Sequence, residues 1–470
     1  MPSTFSGIEI ASRALQVNQT AINVVGHNVA NVNTPGYTRQ RVEIVASDPH
    51  TVPSMASTRP GQLGTGVEIA AITRARDELM RQRLQDIVGG QGMLTEMRDL
   101  LERVQAVYAE PTSGGLSSLL TQFFNSWQQL AVQPENHGVR TSVLQSAHLL
   151  AAQMRGLAGS LDQMQQEISS RLDLVVDEVN KAAREVATLN GQIRLSVAAG
   201  EHPNDLLDRR DTLLRRLGEL IGAKAYNQTN DAGVAMGTVT VVINGFVLVQ
   251  DTHSEALPSA YLLQDGVPYL TANNQRIAVT EGIVGGVLRA SGLIGEYQSD
   301  LDAIAQTLIE QVNGLHAAGY GLDGFTGRLF FEGAGAHDMV VHRDVDGFPE
   351  RLAAASPPDP GQPAAPGNGN NARAIAGIAS QRLFGTNTLL DQYNANVARV
   401  GSDLDSVTKQ AENRSTLVEQ IDHLRSSVEG VSLDEEMTRM LTYQRSYQAA
   451  ARLMTTLDDM LDRLINGLLR

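Results

Sequence analysis

At 470 residues the chain is long enough for two or more domains with substantial cores. Its hydrophobic content of 42% is ordinary for a soluble protein, and its 4% aromatic content is low and suits long helices. The absence of Cys excludes disulfides, thiolate metal sites and cysteine nucleophiles, and a net charge of −15 disfavours nucleic acid as a main partner. No window approaches 18 consecutive apolar residues, so no membrane insertion is expected. Met1–Phe5 lacks a basic n-region and an apolar run, so export would need a route without a cleavable signal.

In chain order, the first predicted element is a helix from Ile8. Its apolar residues step by three and four: Ile8, Ala11, Leu15, Ile22, Val25, Val29 and Val32, interrupted by Asn18. Such spacing gives a narrow coiled-coil seam. Asn31, Asn33, Pro35 and Gly36 stop the helix, and Pro35-Gly36 predicts a type II turn with positive φ at Gly36. Extended runs are expected at 41–45 and 67–72, and helix resumes near Ala75. A regular seam follows from Ile168 to Ile193, then a leucine-rich helix over 205–221 with Asn204 as its N-cap. From about 226 the period becomes alternating. Asn244-Gly245 and Asp265-Gly266 signal two hairpins in a β module spanning 226–290. Helix is expected again over 291–316, irregular chain over 320–372, and a long helix from Leu390 that slips phase near Arg414 and breaks at Gly430. Ser432 and Glu435 form a capping-box pattern before the last helix. That helix carries a second seam: Met440, Tyr443, Tyr447, Ala450, Met454, Leu457, Leu461, Leu464 and Leu468.

The expected fold class is mainly α with a β-rich insert. Residues 1–50 and 431–470 form paired terminal coiled-coil helices. Residues 51–225, 291–320 and 373–430 form a long-helix middle domain, and 226–290 with 321–372 form a small antiparallel outer domain. Catalytic motifs are lacking: no His pairs with Glu in a metalloprotease spacing, no phosphate loop occurs, and Asp323-Gly324 and Asp344–Gly347 lack the ligand spacing of a calcium loop. No catalytic, cofactor or metal site is therefore expected.

The segment Asn28-Val29-Ala30-Asn31-Val32-Asn33-Thr34-Pro35-Gly36-Tyr37-Thr38-Arg39-Gln40 closely resembles the N-terminal signature of bacterial flagellar rod, hook and hook-associated proteins. Ser432–Glu436 and Tyr443–Ala449 are similar to the matching C-terminal signature. Within that family, 204–211, 291–296 and 312–316 resemble the interior of the subunits that join hook to filament. The resemblance marks Asn28, Asn31, Asn33, Thr34, Pro35, Gly36 and Tyr37 as an assembly motif. It implies terminal helices lining the inner tube of the flagellum, a helical middle domain and an outward β domain. It also implies export through the flagellar type III apparatus. The implied partners are further copies of the chain, the hook protein, a second hook-associated junction protein, and an export chaperone at the C-terminal helix. A hook or rod subunit is the alternative, and a secreted coiled-coil effector a distant one. Since one partner helix scarcely offsets the ordering entropy of the last helix, both termini are expected to be disordered before assembly.

Overall fold

The computed structural model describes residues 6–49, 64–108, 114–229, 235–264, 267–272, 275–357 and 365–468. They divide into two compact units. The first comprises residues up to Gly90, Glu178–Leu257 and from Arg414 onward; the second comprises Gln91–Asp177 and Pro258–Asn413.

In the first unit, α1 (Ser6–Ala30) packs along α9 (Leu433–Leu468). Two strands, β1 (Gln40–Ala46) and β2 (Val67–Arg74), form an antiparallel ribbon whose register shifts between Glu43 and Ile44. The unit also holds the start of α2 (Glu78–Tyr108), the end of α4 (His137–Ala198), and α5 (Asn204–Ile221). A four-stranded antiparallel sheet follows in the order β3 (Lys224–Thr229), β4 (Ala235–Ile243), β5 (Phe246–Gln250) and β6 (His253–Ser254). Asn244 and Gly245 both take positive φ, 43° and 87°, as a two-residue hairpin turn that matches strand twist requires. Asn190 of α4 joins helix to sheet. Its amide donates to the Val239 and Asp251 carbonyls and accepts from the Val239 N–H and Arg210. The last part of α8 (Leu389–Glu429) completes the unit, with Val418 packed on Leu84 and Val88 of α2.

The second unit holds the remainder of α2, α4 and α8, together with α3 (Leu116–Val132), α6 (Gly282–Ala318) and α7 (Asn370–Gly377). A three-stranded sheet of β7 (Tyr261–Gln264), β8 (Val267–Ala272) and β9 (Gln275–Ala278) and a short pair, β10 (Phe331–Glu332) with β11 (Val340–Val341), add to it. Its core is aromatic where α3 meets the segment after α6: Phe123, Trp127, Phe330 and Phe331 are fully buried and make edge-on contacts. His316 closes this cluster. Its Nδ1 bonds the Arg328 carbonyl at 2.8 Å, and the Ala353 N–H donates to its Nε2 at 3.1 Å. Those two bonds together require the neutral imidazole with its proton on Nδ1.

The architecture is mainly helical with small antiparallel sheets. Several boundaries differ from the sequence reading. Helix α6 begins at Gly282, nine residues before the expected 291, because Gly285 and Gly286 serve close packing and do not break the helix. A Cβ at Gly286 would lie 2.5 Å from the Met93 carbonyl. The expected single β module is two separate sheets, and residues 226–257 group with the terminal helices whereas 321–357 group with the second unit. Pro203, not Asn204, occupies the N-cap of α5, because the Asn204 amide reaches away to the Ile72 carbonyl. Helix α8 runs unbroken through Arg414, and its phase slip falls where the helix passes from one unit to the other. Within the 320–372 stretch expected to be irregular, α7 already begins at Asn370, while 358–364 and the Asp265-Gly266 turn lie outside the described residues.

Burial pulls the His316 pKa down to about 4, with the Arg328 and Arg140 charges adding to the effect. A histidine lowered in the folded state stabilises fully above its unfolded pKa, and that stability drains away as pH falls towards the folded value. Between pH 7.5 and 5 the protein should lose about 2 kcal/mol from this group alone. Urea unfolding followed by circular dichroism checks this: His316→Gln, though less stable at neutral pH, should flatten the slope by about 0.6 proton averaged over that interval.

Candidate functional site: the junction of the terminal helices

The two terminal helices run antiparallel in matched register. A Cβ on Gly7 would come 3.1 Å from Leu457, and Asn28 donates to Glu436 at 2.8 Å. The intervals 7–28 and 436–457 span 21 residues on each helix, three heptads, so both contacts hold one alignment. Along α9 the least exposed positions are Glu436, Arg439, Met440, Tyr443, Tyr447, Ala450, Ala451, Met454, Leu457 and Leu461, with Glu436 fully buried and Ala450 nearly so. Leu464 and Leu468 belong to the last turns, and their side chains lie outside the description. On α1, Ala11 and Val25 are buried, and Ile8, Leu15, Ile22 and Val29 are half-buried. The most buried row is Val17, Ala21, Val24 and Asn28, about one position round from the 22–25–29 row. Small residues there let the helices approach, and periodicity read on large apolar residues overlooks them. In this structure the two terminal helices of the single chain pack on one another, where the sequence reading expects both termini to be disordered before assembly.

Asn28 is the centre of the site. It is 0% exposed, as is Glu436. Its amide nitrogen donates to the Gln40 carbonyl at 2.9 Å and to Glu436 Oε2 at 2.8 Å. Its oxygen accepts from the Tyr37 hydroxyl at 2.7 Å and the Gln40 N–H at 2.9 Å. All four hydrogen bonds of the amide are thus made, which fixes its orientation. Glu436 also accepts from Arg439 at 3.2 Å. Burial first, then Asp205, Asp208 and Glu436, push the Tyr37 hydroxyl above its ordinary value, so it stays a donor.

The chain reaches Tyr37 through the signature turn. Asn31 bonds the His27 carbonyl through its amide and accepts from the Thr34 hydroxyl. The Tyr37 N–H closes on the Thr34 carbonyl at 3.2 Å, with Pro35 and Gly36 between them and φ of +80° at Gly36. A Cβ at Gly36 would meet the Thr212 hydroxyl at 2.3 Å, so this glycine answers both a conformational and a space requirement. Asn33, Thr34, Pro35 and Gly36 are exposed, and Tyr37 is half-buried.

Residues 38–40 then fasten this turn to the rest of the unit. The Thr38 N–H donates to Asp208 at 2.9 Å, and Gln40 reaches Asp205 at 2.8 Å, both on α5. Arg39 takes Glu435 of α9 at 2.6 Å, while its N–H donates to the Glu429 carbonyl at the end of α8. Asp208 is held in turn by Arg74 of β2 at 2.7 Å, an almost fully buried pair. Burial opposes the Arg74 charge, but Asp211 and Asp208 outweigh it and hold its pKa above the ordinary value. The two chain crossings between terminal helices and body, 31–40 and 430–432, are thus tied to each other by Arg39.

Seven motif residues thus have unequal places: Asn28, Asn31, Thr34 and Tyr37 make hydrogen bonds, Pro35 and Gly36 shape the turn, and Asn33 stands exposed. Of the polar partners, Glu436 lies within the C-terminal signature segment without a role assigned to it, and Arg74 and Glu429 were not singled out from sequence. Glu436 carried a signal, since it sits four residues before Met440, an acid at a seam position.

The family model described as flagella basal body rod protein matches residues 8–38, and that described as flagellar basal body rod FlgEFG protein C-terminal matches 426–467. Between them, the helical domain of flagellar hook-associated protein FlgK matches 101–331. The flagellar hook-associated protein 1 of Bacillus subtilis (strain 168) is 30% identical, over 100% of this chain and 99% of its own length. That of Salmonella typhimurium is 24% identical over 98% and 99%. The solved structure of the flagellar hook junction protein FlgK from Burkholderia pseudomallei shares the fold, with a TM-score of 0.62 at 15% identity, covering 74% of this chain and 100% of that one. The chain belongs to the flagellar hook-associated protein 1 family.

Replacing Asn28 by Ala leaves both backbone groups of Gln40 and the Tyr37 hydroxyl without their partner and leaves the buried Glu436 carboxylate with Arg439 alone, and should cost roughly 3–5 kcal/mol. The double change Asn28→Leu with Glu436→Leu should recover only the part of that loss due to the carboxylate, because the Gln40 backbone groups and the Tyr37 hydroxyl stay without their partner. Urea midpoints of the three proteins test both statements. Gly36→Ala should cost about 1–3 kcal/mol by the same assay, from the positive φ and the Thr212 contact.

Proposed function

We propose that this chain is the structural subunit that joins the flagellar hook to the filament, built into the flagellum through its terminal helices. The observation that carries the reading is the antiparallel α1–α9 pair, with a signature turn that couples it to a helical body. The full-length likeness to flagellar hook-associated protein 1 supports it. After α1 has packed, α9 still exposes Leu433, Met437, Leu441, Leu453, Met460 and Ile465. These apolar side chains suit contact with further copies repeated by a screw operation, an open-ended interface between unlike surfaces. Hook protein on one side and a second hook-associated junction protein on the other complete the proposed set of axial neighbours. Export through the type III apparatus, with a chaperone holding the C-terminal helix, fits a chain whose assembly surface lies on α9. No helix among the described residues is long and apolar enough to cross a membrane. The helical domain matched over 101–331 favours this junction over the rival reading as a hook or rod subunit.

Immunogold labelling of isolated filament–hook preparations tests the location: label should sit at the hook–filament boundary, and label along the hook would support the rival. Leu457→Asp places a charge against Gly7 and should abolish incorporation, with the helical signal of the second unit retained in circular dichroism.

A further inference from the structure

A cavity of about 190 Å³ lies beside the signature turn, under Pro35 and Gly36 and between α2, α5 and the end of α8. Four guanidinium groups line it, those of Arg76, Arg81, Arg215 and Arg425, against two carboxylates, Asp211 and Glu429. Both carboxylates are already engaged. Asp211 accepts from Arg74 at 3.0 Å and Arg81 at 3.4 Å, and Glu429 accepts from the Asp77 N–H and from Arg425. The arginines are engaged only in part: Arg81 gives its other terminal nitrogen to Glu78, and Arg215 and Arg425 pair with Asp422. Arg76 Nε and Nη2 and Arg81 Nε are buried and have no hydrogen-bond partner among the described residues. Arg76 stands 3.0 Å from a half-exposed Glu78, in an ion pair whose geometry makes no hydrogen bond. Buried guanidinium N–H groups left unmade are costly, and three beside one cavity call for an acceptor that enters it. The local charge agrees: burial, reinforced by Arg81 and Arg74, holds Arg76 below its ordinary value despite Asp211.

We propose that this cavity binds one small oxyanion, a carboxylate or a phosphate-sized ion, gripped by the Nε/Nη2 fork of Arg76 with the Nε of Arg81 beside it. A planar fork presents paired N–H donors at the spacing of two oxygens on such a group. The cavity has room for an ion of that size with a few waters. Because Pro35, Gly36 and Thr38 form one wall, an anion held there braces the turn on which the terminal helices depend.

Thermal melts of the full-length protein in sodium phosphate and in sodium chloride of matched ionic strength test the proposal. Phosphate should raise Tm saturably and chloride should not. Arg76→Gln should raise the half-saturating phosphate concentration about tenfold or more, the loss expected when a bidentate charged contact is removed. Arg76→Lys, which keeps the charge without the fork, should fall between. Arg103→Gln, at an exposed pair with Glu167, should respond as the natural protein does. Arg81→Gln carries the comparison if Arg76→Gln does not fold. Identical melts in the two salts overturn the proposal, as does an unchanged phosphate response in Arg76→Gln, Arg76→Lys and Arg81→Gln. Sedimentation of the same samples distinguishes the source of the anion. Phosphate that binds and also disperses self-association assigns the site to a carboxylate of a second copy; phosphate that binds without altering association assigns it to a free ion.

Discussion

One asparagine side chain decides where the terminal helices lie. Asn28 spends all four of its hydrogen bonds on groups from three places: the next turn of its own chain, the first residue of β1, and the carboxylate of Glu436 on α9. Slide either helix by one turn and Glu436 loses Asn28 in a site closed to water. Apolar seams alone tolerate such slippage, because a Leu fits many holes of similar size. A buried polar pair does not, so it specifies alignment where the seams supply most of the attraction.

The same device recurs through the molecule. Asn190 pins a strand and a turn to α4, Asn313 of α6 accepts from two successive backbone N–H groups at Phe330 and Phe331, and Asn180 pairs with both backbone groups of Leu257. In each case a helix holds an extended segment by its backbone. A neutral amide that both donates and accepts can do this without burying a charge. Apolar packing then needs to supply cohesion and not register, consistent with a chain poor in aromatic residues outside the single cluster around Trp127.

Much of this was legible in the sequence, for identifiable reasons. Helix ends at Asn31 and Gly430, the Pro35-Gly36 turn and the Asn244-Gly245 hairpin followed from local sterics, which the rest of the fold does not override. The long seams located the helices. What escaped were features set by tertiary contact. The start of α6 at Gly282 fell inside the stretch expected to be a β module, because nothing local tells of the Met93 carbonyl against Gly286. The Val17–Ala21–Val24 row was overshadowed by larger neighbours, and Asp208 and Arg74 met only through folding of segments 134 residues apart. The resemblance picked out the signature segment, but gave no reason for its residues; hydrogen-bond geometry supplies one for most of them.

Trp127 is the single tryptophan of the chain, fully buried in the second unit and edge-on to His316 at 6.2 Å. The indole emission of the whole molecule therefore originates from one place, at the heart of the aromatic cluster. The unit that carries the terminal helices is dark at wavelengths exciting indole alone. A spectrometer set to that band follows one half of the protein while the other half binds, bends or polymerises unseen, and a label placed on α1 or α9 would supply a second, independent colour.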